Sequence, residues 1–274
     1  MPELPEVEVV RRGLEAHLRG RTFDAVEVYH PRAVRDCAVD LARVLPGQTV
    51  TATGRRGKFM WLVLDGGSAL LIHLRMSGQM LVGKPGGVVS PHLRIRARLG
   101  DVELCFVDQR TFGSWQYVAL GEDGVPTTMG HIAPDPFEAS FDDVSRARLI
   151  RTKRSAIKSV LLDQGVISGI GSIYADEALW AAQIKPTRRA RSLRQRDALR
   201  LIEQSRAVMA SALEQGGTSF DSLYVNVNGA SGYFSRSLNA YGRAGRPCRR
   251  CGEALVRVVV GGRSSSYCPG CQTL

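Results

Sequence analysis

The last 27 residues of this 274-residue chain hold four of its six cysteines, arranged as two Cys-x2-Cys pairs, CRRC at 248–251 and CPGC at 268–271, with sixteen residues between them. Two such knuckles can set four thiolates tetrahedrally around a single ion, which is the ligand set of structural Zn2+. Cys37 and Cys105 stand apart, so the clustering argues for a metal and against a disulfide framework. Cys248, Cys251, Cys268 and Cys271 are therefore expected to hold one structural zinc. A closed four-cysteine site holds shape and performs no chemistry. What such a module does depends on what its hairpin displays. The run GGRSSSYC puts Arg263 on a stiff ribbon in the same module as Arg249 and Arg250, which suits a phosphate contact. A ribbon that mediates protein contacts is the alternative for this module taken alone.

Lys and Arg number 37 against 26 acids, a net charge of +11 carried mostly by arginine. Arginine's planar fork matches phosphate oxygens, so a polyanionic partner is expected, nucleic acid ahead of a membrane surface. No apolar run approaches spanning length, and the first 20 residues carry too much charge for a signal peptide. The chain is expected to be soluble and intracellular.

The hydrophobic period changes along the chain. From about residue 22 to 120 the segments TFDAVEVYH, KFMWLVL, ALLIHL, HLRIRARL and VELCFVD are short, β-branched and partly alternating. Turn signals at 65–67, 84–87 and 99–101 separate several of them, which predicts an antiparallel sandwich or barrel. From about 135 to 216 the period becomes helical. FDDVSRARLIRTKRSAIKSVLLDQG and RSLRQRDALRLIEQSRAVMASALEQGG are expected to be helical, with Gly165 and Gly216 as stops. Between them, SGIGSIYADEALWAAQ places a glycine turn ahead of a short helix, a device that can present backbone N–H groups to an anion. The nearby Arg146, Arg148, Arg151, Lys153, Arg154 and Lys158 are either a solvated helix face or part of the same backbone grip. The expected division is 2–134, 135–238 and 239–274: a β-rich domain, a helical domain and a metal module.

The N-terminal MPELPEVEVV poses a separate question. Pro5 fits a first helical turn, and Glu3, Glu6 and Glu8 fit the positive end of a helix dipole. Val7, Val10, Leu14 and Leu18 follow at helical spacing and mark one apolar face. A capped helix accounts for all of this except Pro2 and the acid beside it. Met1 before a small residue is usually clipped, which would leave a secondary amine next to a carboxylate, a nucleophile with its own proton shuttle. Three other stretches stand out: RRGKFMW puts Lys58 at the mouth of a strand, while HLRMSG and DQRTFG put Met76, Arg110 and Phe112 in turns. Loop-borne apolar and Arg side chains suit insertion into a base stack, although ordinary packing is the simpler account of Met76 and Phe112 on the residues alone.

Taken together, PELPEVE, GRRGK, HLRMSGQM, DQRTFG, SGIGSIYADEALW, GGTSFDSLYVNVNGASGYF, YGRAGRPC and the four-cysteine ribbon resemble the bacterial formamidopyrimidine-DNA glycosylase (Fpg) family, in order and over nearly the whole chain. The resemblance implies an α+β protein: an N-terminal β-sandwich with an N-terminal helix, a helix–two-turn–helix domain and a zinc-finger hairpin, with damaged double-stranded DNA between the lobes. It implies a monomeric, cytoplasmic base-excision-repair enzyme that removes 8-oxoguanine and formamidopyrimidines and cleaves the strand by β,δ-elimination. By the same likeness Pro2 is the nucleophile that forms a Schiff base, Glu3 shuttles protons, and Glu6 supports the site. A secondary amine gives an obligatorily cationic imine, and an α-amino pKa of ~8 leaves more free base at pH 7 than a lysine at ~10.4. Lys58 matches the lysine near the lesion phosphate and Arg263 the zinc-finger arginine. Met76, Arg110 and Phe112 match the residues that fill the gap left by the extruded nucleotide. His92 and Lys153 match backbone contacts, and Lys158 sits on the lesion side of the helical domain. The segment 216–234 matches the loop that closes over a flipped purine.

The chain departs from the family pattern at two positions. Ser172 stands where asparagine is usual beside the lesion phosphate, and Arg75 stands where glycine is common. These departures support one alternative, a paralogue that binds damaged DNA with little turnover; the other, an endonuclease VIII-like preference for oxidised pyrimidines, shares the chemistry and differs only in the pocket.

Overall fold

A computed structural model describes residues 1–217, 227 and 237–273. The chain divides into two compact units, one comprising Met1–Gly130 with Gln215–Ser235 and the other His131–Glu214 with Arg236–Leu274.

In the first unit, helix α1 (Leu4–Leu18) precedes β1 (Ala25–Val28), a short helix α2 (Leu41–Val44), and strands β2 (Val50–Arg56), β3 (Phe59–Leu64), β4 (Ser68–His73), β5 (Gly78–Gly83), β6 (Leu93–Leu99), β7 (Val102–Asp108) and β8 (Ser114–Ala119). They form two antiparallel four-stranded sheets, in the orders β1-β6-β7-β5 and β2-β3-β4-β8. Met80, Ile95, Leu104 and Phe106 of the first sheet share one buried core with Met60, Leu62, Leu70, Ile72 and Trp115 of the second. This is the sandwich that the alternating pattern predicts. Helix α1 buries its expected face, Val7, Val10, Leu14 and Leu18, in the same core. Its polar side is tied to β2. Arg11 donates to Thr53 at 2.7 Å, and Glu8 gathers Arg11, Arg12 and Arg55 at 2.9, 2.8 and 3.0 Å.

The second unit contains α3 (Asp143–Thr152), α4 (Ile157–Leu161), α5 (Ser172–Ala181), α6 (Gln195–Glu214) and the hairpin of β9 (Val256–Val260) and β10 (Arg263–Tyr267). The long helical run expected before Gly165 is two helices. The chain leaves the helix at Lys153, whose backbone is extended, and residues 153–157 pair with 188–191: Arg191 N–H donates to Lys153 O, Ala190 N–H to Ser155 O and Ile157 N–H to Arg188 O. Helix α4 then ends at Leu161, ahead of Gly165. Gly216, at φ +74, follows the end of α6 as expected. Among the described residues no helix is long and apolar enough to cross a membrane.

Candidate active site, nucleic-acid contacts and metal centre

Pro2 and Glu3 are buried at the start of α1, with Met1 exposed in front of them. Glu3 is the N-cap, and with Glu6 it closes a reciprocal capping box. The Glu6 carboxylate accepts the Glu3 N–H at 2.9 Å, and the Glu3 side chain accepts the Glu6 N–H. Glu6 is therefore a buried brace that fixes the backbone next to Pro2. Gly217 lies against it: a Cβ there would come within 3.3 Å of the Glu6 side chain.

A second group of candidates gathers at one end of the β2-β3-β4-β8 sheet. The register opposes Phe59 to His73 and His73 to Ser114. The residue before Phe59, those after His73 and those before Ser114 therefore emerge at the same edge, and these are Lys58, Arg75 with Met76, and Arg110 with Phe112. Lys58 is buried in the two-residue turn between β2 and β3. Met76 and Phe112 are 37% and 46% exposed, so ordinary core packing does not account for them. Both sit beside strained backbone. Arg75, before Met76, has φ +52, and Thr111, between Arg110 and Phe112, has φ +53. The left-handed conformation at Arg75 is one that glycine adopts without cost, which supplies a physical reason for glycine at this position.

The fully buried carboxylate of Asp108 holds these turns. It accepts the Ser77 hydroxyl, the Arg110 N–H at 3.2 Å and the Gly113 N–H at 2.7 Å. Ser77 also accepts the Arg110 N–H at 3.0 Å, linking the Met76 turn to the Arg110 turn. His92 is half-buried beside them, its carbonyl accepting the Asp108 N–H at 2.9 Å. His73 is buried at this corner, and its Nδ1 accepts the Arg75 N–H at 2.9 Å. Burial first, and then the charges of Arg75 and Lys58, push its pKa down to about 3, so the ring is neutral and carries its proton on Nε2.

In the second unit, Arg263 is exposed at the start of β10, next to the two-residue turn Gly261–Gly262, in which both φ angles are positive (+56 and +75). Such a turn matches the twist of the paired strands and gives a stiff hairpin, as the display of Arg263 requires. Lys153 is partly exposed, 3.8 Å from Asp163. Ser172 opens α5, behind the N-cap Gly171, at the end where N–H groups can meet an anion.

Lys158 is placed differently from the expectation of a DNA contact. It is fully buried; its Nζ is 2.7 Å from Asp176 Oδ1 and donates to Ser264 O at 2.7 Å. Asp176 also accepts the Ser265 hydroxyl at 2.5 Å and the Ser266 N–H at 3.0 Å. Burial drives the Asp176 pKa upward, and Lys158, Ser265 and Ser266 only partly oppose it. Lys158 thus clamps α4, α5 and the hairpin that carries Arg263 together, and its ammonium does not face solvent. On the same helix Glu177 accepts three backbone N–H groups, from Asn239, Ala240 and Tyr241, at 2.8 to 2.9 Å. Sequence reading missed Asp108, Asp176, Glu177 and His73. The signal for them is that each is a polar residue inside one of the quoted motifs, His73 in HLRMSG, Asp108 in DQRTFG, and Asp176 and Glu177 in SGIGSIYADEALW.

The four sulfurs of Cys248, Cys251, Cys268 and Cys271 lie within 4.8 Å of one another. The Cys251–Cys268 and Cys248–Cys271 separations of 3.4 and 4.0 Å bracket the roughly 3.8 Å edge of a tetrahedron with ~2.3 Å metal–sulfur bonds. The thiolates fit one structural zinc. The 216–234 segment expected to close over a flipped base lies outside the described residues, apart from Gly216, Gly217 and Val227.

Three family models match the chain: the formamidopyrimidine-DNA glycosylase N-terminal domain over 1–115, the H2TH domain over 132–223, and the zinc finger found in FPG and IleRS over 245–274. A formamidopyrimidine-DNA glycosylase from Corynebacterium urealyticum is 58% identical over 288 residues, covering 100% of both chains. Among solved structures, the Lactococcus lactis Fpg bound to abasic-site DNA is 30% identical with a TM-score of 0.87, over 98% of this chain and 99% of that one. A MutM bound to DNA containing carbocyclic 8-oxo-G is 30% identical with a TM-score of 0.88, over 100% of both. With its buried Pro-Glu start, its turn-borne Met, Arg and Phe, and its four-cysteine hairpin, the chain belongs to the formamidopyrimidine-DNA glycosylase family.

Proposed function

We propose that this chain excises oxidised purines, 8-oxoguanine and formamidopyrimidines, from damaged double-stranded DNA and then cleaves the abasic strand as a lyase. The observation that carries this reading is the N-terminus, where Pro2 and Glu3 are held buried by a capping box in a chain of this family. Once Met1 is removed, the Pro2 nitrogen bonds to C1′ of the extruded nucleotide as the bond from C1′ to the base breaks. Glu3 delivers the proton that the base carries away. The Pro2 nitrogen then gives up its own proton, the ring oxygen takes one up, and the sugar opens to leave a cationic imine between Pro2 and C1′. Loss of a C2′ proton sends electrons into that imine and expels the 3′ phosphate. A second elimination expels the 5′ phosphate, and water then releases the amine.

Lys58 serves the proton transfers of elimination, and Arg263 binds phosphate during the second one. Met76, Arg110 and Phe112 fill the vacated stack and meet the opposite base, while His92, Lys153 and Ser172 hold the backbone. Lys158 acts through the hairpin it clamps. The division 2–134, 135–238 and 239–274 assigns catalysis, backbone grip and the phosphate-binding finger in turn. The protein acts as a monomer, away from membranes, in the bacterial cytoplasm.

Borohydride trapping on an 8-oxoguanine:C duplex tests this reading, beside a form that retains Met1. A covalent adduct only with free Pro2, and incision on both sides of the lesion without borohydride, is the expected result. Binding with no adduct from either form would overturn it in favour of a damaged-DNA binder. Stronger turnover on oxidised pyrimidines would overturn the substrate assignment alone.

A further inference from the structure

The zinc ligands are not held by their own loops alone. Cys248 packs in a small core with Leu255 and Cys268, and Trp180, in the last turn of α5, lies against it. The Trp180 indole Nε1 is 3.4 Å from the Cys248 sulfur. The backbone N–H of Arg250 lies at the same 3.4 Å. The Arg250 guanidinium covers the outer face of the indole, 4.1 Å from the ring centroid, and donates to the Trp180 carbonyl at 3.2 Å. Gln272 makes a second link: its Oε1 accepts the Cys268 N–H at 2.8 Å and its Nε2 donates to Ile184 O at 2.9 Å. The module is therefore joined to the last turn of α5 through the Cys248 sulfur and Arg250, and to Ile184, just past that helix, through Gln272.

We propose that Trp180 is a positioning residue for the zinc: its indole N–H donates to the Cys248 thiolate, fixes that sulfur on the metal, and slows release of the ion. A zinc bound by four thiolates carries a net charge of −2, spread over the sulfurs. An N–H donor aimed at one sulfur stabilises that charge and orients the lone pair that binds the metal. The Arg250 cation stacked on the ring holds the indole in place and adds positive potential on the same side. The tryptophan thus links zinc retention to the packing of the helix that begins at Ser172.

Trp180→Phe keeps an aromatic ring under Arg250, although a smaller one, and removes the donor. In the full-length zinc-loaded protein, transfer of zinc to a chromophoric chelator is expected to be about tenfold faster than in the wild type, and competitive affinity to fall by a similar factor. Arg250→Ala, which leaves the indole donor in place, is expected to shift both by less. In the cobalt-substituted protein, the thiolate-to-metal charge-transfer band should move to longer wavelength in Trp180→Phe, because the sulfur loses a stabilising donor. Rates and bands within experimental scatter of the wild type would overturn the proposal. If Trp180→Phe does not fold, the wild-type protein loaded with cadmium-113 decides the matter. One indole proton should show scalar coupling to the metal across the N–H···S bond, and absence of that coupling from every indole sinks the idea.

Discussion

Removing the Lys158 ammonium should destabilise the second unit strongly, and by an amount that depends on pH. Lys158 and Asp176 are both essentially inaccessible to solvent and lie 2.7 Å apart. Lys158→Ala leaves the carboxylate with only the Ser265 hydroxyl and the Ser266 N–H. Breaking one side of a buried pair costs about 3–5 kcal/mol, because the other charge is left uncompensated. Asp176 can escape part of that cost by binding a proton, and its pKa is already pushed upward by burial with Lys158 present.

In the variant the folded state keeps a proton that the unfolded chain gives up above pH ~4. Stability of the variant therefore falls as pH rises, by at most about 1.4 kcal/mol per unit, until the folded pKa is passed. The wild-type-to-variant gap should be about 4 kcal/mol at pH 7.5 and narrow as pH falls through the folded pKa of Asp176 in the variant. Urea midpoints of the zinc-loaded protein, followed by helical circular dichroism and by zinc release, measure the gap, since α3 to α6 and the four cysteines all belong to this unit. Lys158→Met combined with Asp176→Asn should recover most of the loss seen for Lys158→Met alone. Equal midpoints at pH 7.5, or a gap that stays constant from pH 7.5 down to about pH 4, would refute the clamp.

Three further outcomes concern the first unit. Arg75→Gly relieves a left-handed backbone at φ +52 and should raise stability by about 1 kcal/mol in thermal unfolding; a loss would show that the Arg75 side chain contributes more than its backbone costs. Asp108→Asn turns one acceptor into a donor facing the Ser77 hydroxyl or the turn N–H groups. It should cost about 1–3 kcal/mol by the same measurement, with little change in affinity for undamaged duplex. Burial raises the Glu8 pKa, but Arg11, Arg55 and Arg12 outweigh it and hold the group at about 2. Its folded pKa is below the ordinary 4.5, so the stabilisation is complete above that pH and is lost as pH falls toward 2. Glu8→Gln should thus trail the wild type by roughly 1–2 kcal/mol at pH 6, allowing for solvent screening, and match it near pH 2 in acid titration of the fold.

Residues whose side chains alternate or recur at a fixed period were legible. The α1 face, strands β3, β4, β6 and β7, helix α6 and the four-cysteine hairpin all follow from spacing within one short window. Strands β2, β5 and β8 did not, since VTATGRR, GQMLVG and SWQYVA carry glycine, threonine, arginine or glutamine where a strand signal needs apolar residues. Each is an edge strand whose place is set by the one strand it pairs with: Gly54 leaves room for the Trp61 ring of β3, into which a Cβ would run at 2.2 Å. The break between α3 and α4 was likewise invisible, because Ile150 and Ile157, seven residues apart, would fall on one face of an uninterrupted helix. What ends the helix is backbone pairing with residues more than thirty positions later.

Charged residues were the hardest to place, for a reason that Lys158 makes concrete. It stands in a run with Arg146, Arg148, Arg151, Lys153 and Arg154, and a local window reads the run as one solvated or DNA-facing surface. Of the basic residues on this stretch, Lys158 is the one whose helix position points inward, and it can be buried only because Asp176 lies 18 positions away and Ser264 O 106 positions away. Neither partner falls in any window that includes the lysine. The same holds for Asp108, whose donors come from Ser77, Arg110 and Gly113, on two different turns. Buried polar side chains hold the loops and the hairpin that carry Met76, Arg110, Phe112 and Arg263. The motif residues are thus readable one at a time, while the residues that aim them become readable only once the fold has brought distant partners together.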